Sequence, residues 1–166
     1  MAYTDDESGP RGVGGWMVLF LFGFAFFSPI SLVFGTYRNI YAAPGLDTLL
    51  GDNWVPYQIF EWSLVVMALV LIAAVVWRLF NVQTPATVRL TVAAIPILAF
   101  GILLLDIVGS LALIDIDPNL LFEGVGPDML RGAAYTAIWC TYFLVSKRVR
   151  NTYYGLADTE AAEVFE

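Results

Sequence analysis

The chain contains no histidine and a single cysteine, Cys140. Those two absences exclude an intrachain disulfide, a bis-histidine haem site, a zinc site and a histidine proton relay built from this chain alone. Basic residues are scarce as well, eight Lys and Arg against fifteen Asp and Glu, for a formal net charge of −7. A nucleic-acid surface needs clustered Lys and Arg over a broad face, so no nucleic-acid partner is expected. Charged residues of both signs make up only 14% of the chain, whereas 59% is hydrophobic. Mean hydropathy is +0.74, outside the usual balance of soluble domains, and the implied solvent is a lipid bilayer.

A spanning helix needs about 20 mostly apolar residues. The apolar runs place four such spans, at about 14–34, 58–77, 91–113 and 130–145, within one transmembrane domain over 13–150. The expected fold is all-α, a bundle of four transmembrane helices with both termini cytoplasmic. Residues 1–12 read as a flexible acidic leader and 151–166 as an acidic cytoplasmic tail. The first span is too long for a signal-peptide core of about 7–15 residues and follows acids, not a basic stretch, so it is expected to stay uncleaved.

Cytoplasmic flanks are enriched in Lys and Arg, which sets the orientation. Arg11, Arg78, Arg89, Lys147, Arg148 and Arg150 fall on one side, and Arg38 and Arg131 on the other. The two outer loops, 35–56 and 114–129, carry Asp47, Asp52, Asp115, Asp117, Glu123 and Asp128. Their leucines, glycines and prolines suggest a cap folded over the outer end of the bundle.

An ionisable group inside lipid is costly and therefore a functional candidate. Asp106 in the third span and Arg131 at the start of the fourth are expected to form an intramembrane charge pair, more structural than catalytic. Glu61, near Arg38 in depth, is expected to snorkel to the outer interface. With Asp106 it forms the alternative, an ion site. Gly109 and Ser110 share the face of Asp106, and Gly132, Ala133, Thr136, Ala137 and Cys140 form a small-residue face on the fourth span, both suited to close helix packing. A catalytic Cys140 lacks a base. Pro29 and Pro96 each remove a backbone donor, and Ser28 and Ser31 are placed to satisfy freed carbonyls. Trp16, Trp77, Arg78, Arg89, Lys147, Arg148 and Arg150 read as cytoplasmic anchors to lipid.

Two flanking motifs are more particular: Gly14-Gly15-Trp16 opening the first span, with Ser28-Pro29-Ile30 inside it, and Tyr142-Phe143-Leu144-Val145-Ser146-Lys147-Arg148-Val149 closing the last. Together they resemble the domain of unknown function 2569 family over roughly residues 12–154. The resemblance implies a small four-helix protein of a bacterial inner membrane and implies no activity. Read without the family, Ser146 is placed to bond the last helical carbonyls, and the bases after it favour a helix C-terminus and anionic headgroups.

No catalytic constellation, metal site or cofactor site emerges. The expected function is a non-enzymatic accessory or structural subunit packed against other membrane protein subunits. The alternative is a small oligomeric transporter or cation channel using the outer carboxylates. Homo-oligomerisation stays open on the sequence.

Overall fold

The computed structural model describes residues 12–42, 44–113 and 118–155, with the backbone alone over 118–124. The leader up to Arg11, the loop acids Asp115 and Asp117, the Glu123 side chain and the tail beyond Gly155 lie outside the described residues. The described chain is helical and contains no strand. Helix α1 (Trp16–Tyr41) is followed by the short α2 (Leu46–Leu50), a single 3-10 turn and α3 (Trp54–Asn81). Then come α4 (Pro85–Leu113), α5 (Pro118–Val145) and α6 (Lys147–Tyr153).

Among the described residues, three helices are long and apolar enough to cross a membrane: α1, α4 and the α2–α3 unit Leu46–Asn81. Helix α5 has comparable length, 28 residues, but Asp128, Arg131 and three tyrosine or tryptophan positions interrupt its apolar run. The helices also extend further than the apolar runs alone predict. The expected outer cap at 114–129 is instead helical from Pro118 onward, because a proline opening a helix lacks only an N–H that has no intrahelical acceptor there. Arg131 consequently sits near the middle of its helix, not at its start.

Punctuation is local and explicable. Gly45, at φ 78°, supplies the left-handed turn before α2, and Thr84 is extended before Pro85 opens α4. Pro29 and Pro96 lie beside two π turns, Gly23–Phe27 in α1 and Ile97–Gly101 in α4. A proline removes a backbone donor and crowds the carbonyl four residues earlier, so the regular ladder is interrupted at both places. Ser28 donates both its backbone N–H and its hydroxyl to the Gly23 carbonyl, the latter at 3.3 Å, so its hydroxyl doubles an existing bond and does not serve the Ala25 carbonyl four residues before Pro29. On α4, Pro96 leaves the Val92 carbonyl without its intrahelical donor. The Cys140 thiol of α5 points at it from 3.6 Å, so the cysteine is a packing residue with a definite polar partner.

The main core lies at the end that holds both ends of the described chain. Phe20 stacks on Phe24 at 4.9 Å and meets Phe143 edge-on at 4.9 Å and Trp139 at 5.0 Å, joining α1 to α5. Val75 and Leu79 of α3, Val88 of α4 and Val149 and Tyr153 of α6 complete it, all fully or almost fully buried. Helix α6 exists because Ser146, in extended conformation, ends α5 and caps the next helix by accepting from the Val149 N–H at 3.5 Å. Ser146 is therefore an N-cap, not the C-terminal cap expected from the sequence. Thr152 and Tyr153, expected in the tail, are buried. The Tyr153 hydroxyl donates to Leu79 O at 2.6 Å, one of the last carbonyls of α3 that lacks an intrahelical partner. Thr152 accepts from the Gly12 N–H at 2.9 Å and ties the residues just before α1 to the same knot.

Among the described residues, the opposite end holds a small cluster around Ile40, Leu50 and Tyr57. There Asn53 donates to the Leu113 carbonyl at 3.1 Å, fastening the start of α3 to the end of α4.

Candidate intramembrane binding site

Helices α1 and α5 meet through Phe20, Trp139 and Phe143, and beyond that contact a cavity of about 640 Å³ separates them. Its α1 wall is the π turn and the residues after it, including Phe24, Phe27, Ser28 and Ser31. Arg131, Gly132 and Tyr135 line it from α5, and Leu98 and Ala99 of the second π turn contribute with Ile95 and Ile102 on either side of it. The two helix distortions thus face one chamber, a frequent association of π turns with functional sites. Tyr135 carries a buried hydroxyl with no hydrogen-bond partner in the chain.

A second cavity of about 250 Å³ adjoins the first and shares Ser31, Leu32, Leu98, Ala99 and Ile102 with it. Glu61 and Asp106 line this smaller chamber, with Thr36 and Asn39 from α1. Glu61 is only 8% exposed, and its Oε1 is buried without a hydrogen-bond partner. The expected snorkelling is therefore not what the structure places there. Glu61 sits seven residues into α3, which begins at Trp54, and faces inward beneath the packed Tyr57.

The expected Asp106–Arg131 pair is replaced by local partners. Asp106 accepts from the Ser110 hydroxyl at 3.4 Å, one turn along its own helix. Arg131 pairs with Asp128 at 3.0 Å, three residues earlier on α5, with side chains 80% and 62% exposed. Helical neighbours at this spacing need no interhelical approach, which is why the local pair wins. Arg38 is exposed and does not line the carboxylate chamber.

The packing residues divide. A Cβ on Gly109 would overlap the Phe60 ring, so α3 and α4 approach closely there, and Ser110 is buried beside it. Gly132 packs on Ala99 and Phe100 of α4, and Thr136 and Cys140 continue that face, Thr136 with a buried hydroxyl oxygen lacking a partner. Ala133 and Ala137 instead point outward. At the knotted end Trp16 and Trp77 are 67% and 60% exposed. Arg89, Lys147 and Arg150 are exposed, whereas Arg78 and Arg148 are half-buried.

An all-helical chain with apolar, membrane-length helices and a largely apolar chamber among them is a multi-pass membrane protein. Its sequence places it further: the family described as protein of unknown function (DUF2569) matches residues 10–154, and the chain belongs to that family. No curated protein and no solved structure matches the chain.

The two motifs that carried the resemblance meet in space. The Arg148 guanidinium occupies the place where a side chain on Gly14 would begin, and Gly15, at φ 57°, turns the chain into α1. Sequence reasoning took these motifs as separate lipid anchors and missed their contact. The paired glycine and the arginine lie 134 residues apart, and nothing local signals their approach. The chambers were also missed, although a glycine and a proline within two turns of each other, Gly23 with Pro29 and Pro96 with Gly101, marked both distorted walls.

Proposed function

We propose that this chain is a non-enzymatic accessory subunit of a larger membrane complex, crossing a bacterial inner membrane four times with both termini in the cytoplasm. In this reading α5 is the fourth span, and its outward surface carries the argument. Gly132 packs against Ala99 and Phe100, about 20 Å along α5 from Ser146 at 1.5 Å per residue, within a hydrocarbon core about 30 Å thick. The exposed Asp128–Arg131 pair stands at or near that depth, where lipid tails solvate an ion pair poorly. Ala133 and Ala137 offer a second, smooth strip suited to a neighbouring helix. Helix α4 adds a large uncovered face, only 11% of its most apolar window being buried within the chain.

The grouping of Arg78, Arg89, Lys147, Arg148 and Arg150 at the knotted end supports a cytoplasmic position for it. The decisive experiment is purification of tagged protein in mild detergent. A stoichiometric larger partner, lost on Ala133→Trp without loss of folded protein, is the expected result. A lone homo-oligomer that passes cations in vesicles, with flux abolished by Asp106→Asn, overturns it. That outcome belongs to the second reading, a small transporter or cation channel, which the shared chamber of Glu61 and Asp106 favours.

A further inference from the structure

We propose that the two adjoining chambers form one binding site for an amphipathic organic cation, its ammonium held by Glu61 and Asp106 and its apolar body in the larger chamber. The carboxylate end is built for a positive donor. Glu61 lines the smaller chamber and is more than nine-tenths buried, and its buried Oε1 has no hydrogen-bond partner. Tyr57, one turn before it, and Asp106 from α4 are the titratable groups that face it, and no basic residue lines this chamber. A buried carboxylate with an open acceptor is costly to keep, and a ligand N–H is the missing complement.

The adjoining volume selects what is attached to that ammonium. Phe24, Phe27, Ile72 and Leu98 make its wall apolar and aromatic, suited to an alkyl or aryl body. The shared residues Ser31, Leu32, Leu98, Ala99 and Ile102 make the junction continuous, so a ligand with a short linker reaches both ends. Arg131 at the far rim is engaged by Asp128 and stands away from the carboxylates. The gap between α1 and α5 gives a ligand dissolved in the bilayer a lateral way in. The inference is independent of the accessory role, since the site lies within one chain.

Three probes of one shape test it: phenylbutylammonium, neutral phenylbutanol and anionic phenylbutyrate, titrated calorimetrically into the full chain in detergent near neutral pH. The expected order is cation, then neutral, then anion, with the cation saturable. Removing one charge-assisted hydrogen bond by Glu61→Gln should weaken the cation about tenfold to a hundredfold and leave the neutral probe unchanged. Ser31→Trp, at the shared wall, should weaken both. Unchanged neutral binding and a sharp thermal transition identify a folded E61Q protein, and Asp106→Asn supplies the same charge test if E61Q does not fold. Equal affinity for cation and neutral probe, or cation binding indifferent to both charge-removing variants, overturns the proposal.

Discussion

The two ends of this bundle are held by different means. At the knotted end, rings of Phe20, Phe24 and Phe143 interlock, and the chain from Gly12 to Thr152 is closed by hydrogen bonds. At the opposite end a small cluster and the Asn53–Leu113 bond hold α1, α3 and α4, while α1 and α5 stand apart across a chamber. Lipid tails are as apolar as the helices, so burial alone supplies little drive for helices to associate; packing and hydrogen bonds must do it. The comparison teaches that this chain concentrates both at one end and leaves the other free to accommodate something else.

The largest expected effect tests the knot directly. Phe20→Ala, truncating a fully buried ring, should lower stability by about 3–5 kcal/mol, and Leu50→Ala in the small cluster by less. Thermal melts of both variants in the same detergent check the difference, and equal losses would end the comparison. Next in size, Gly109→Ala drives a methyl into the Phe60 ring and should cost about 1–3 kcal/mol, read by the same melts. Because this contact lies toward the open end, a loss larger than that of Phe20→Ala would reverse which end holds the bundle.

The smallest effect sharpens the account of the knot. Tyr153→Phe removes the bond to Leu79 O and should cost about 1 kcal/mol. Burial, and secondarily the nearby Tyr142, pushes the Tyr153 phenol up to about 12. The folded state therefore favours the neutral phenol. Its contribution is complete below the unfolded value of about 10 and is lost as pH rises through the folded one. Unfolding free energy measured across that alkaline window should fall more steeply in the parent than in Tyr153→Phe. Parallel curves would place the phenol outside the knot.

Much of the helical frame was legible. The first three apolar runs became α1, α3 and α4, since hydropathy is a property of each segment by itself. The fourth was legible only in its second half, because Asp128 and the prolines of 118–129 disguised the first half of the helix. Of the candidate site, Glu61 and Asp106 were visible as misplaced charges, and Gly109 and Cys140 as packing positions. The Val92 carbonyl that partners Cys140 was not, because it is set by the approach of α4 and α5, whereas Ser110 beside Asp106 and Asp128 beside Arg131 are same-helix neighbours whose spacing the sequence already holds.

The sequence by itself determined that this is a helical membrane protein and the family it belongs to. Each follows from local hydropathy or from short motifs. The tertiary structure alone decided that Arg148 rests on Gly14, that Tyr153 closes α3, that Glu61 turns inward, and that two π turns open a chamber before it. Those are distances between helices, and no run of residues contains them.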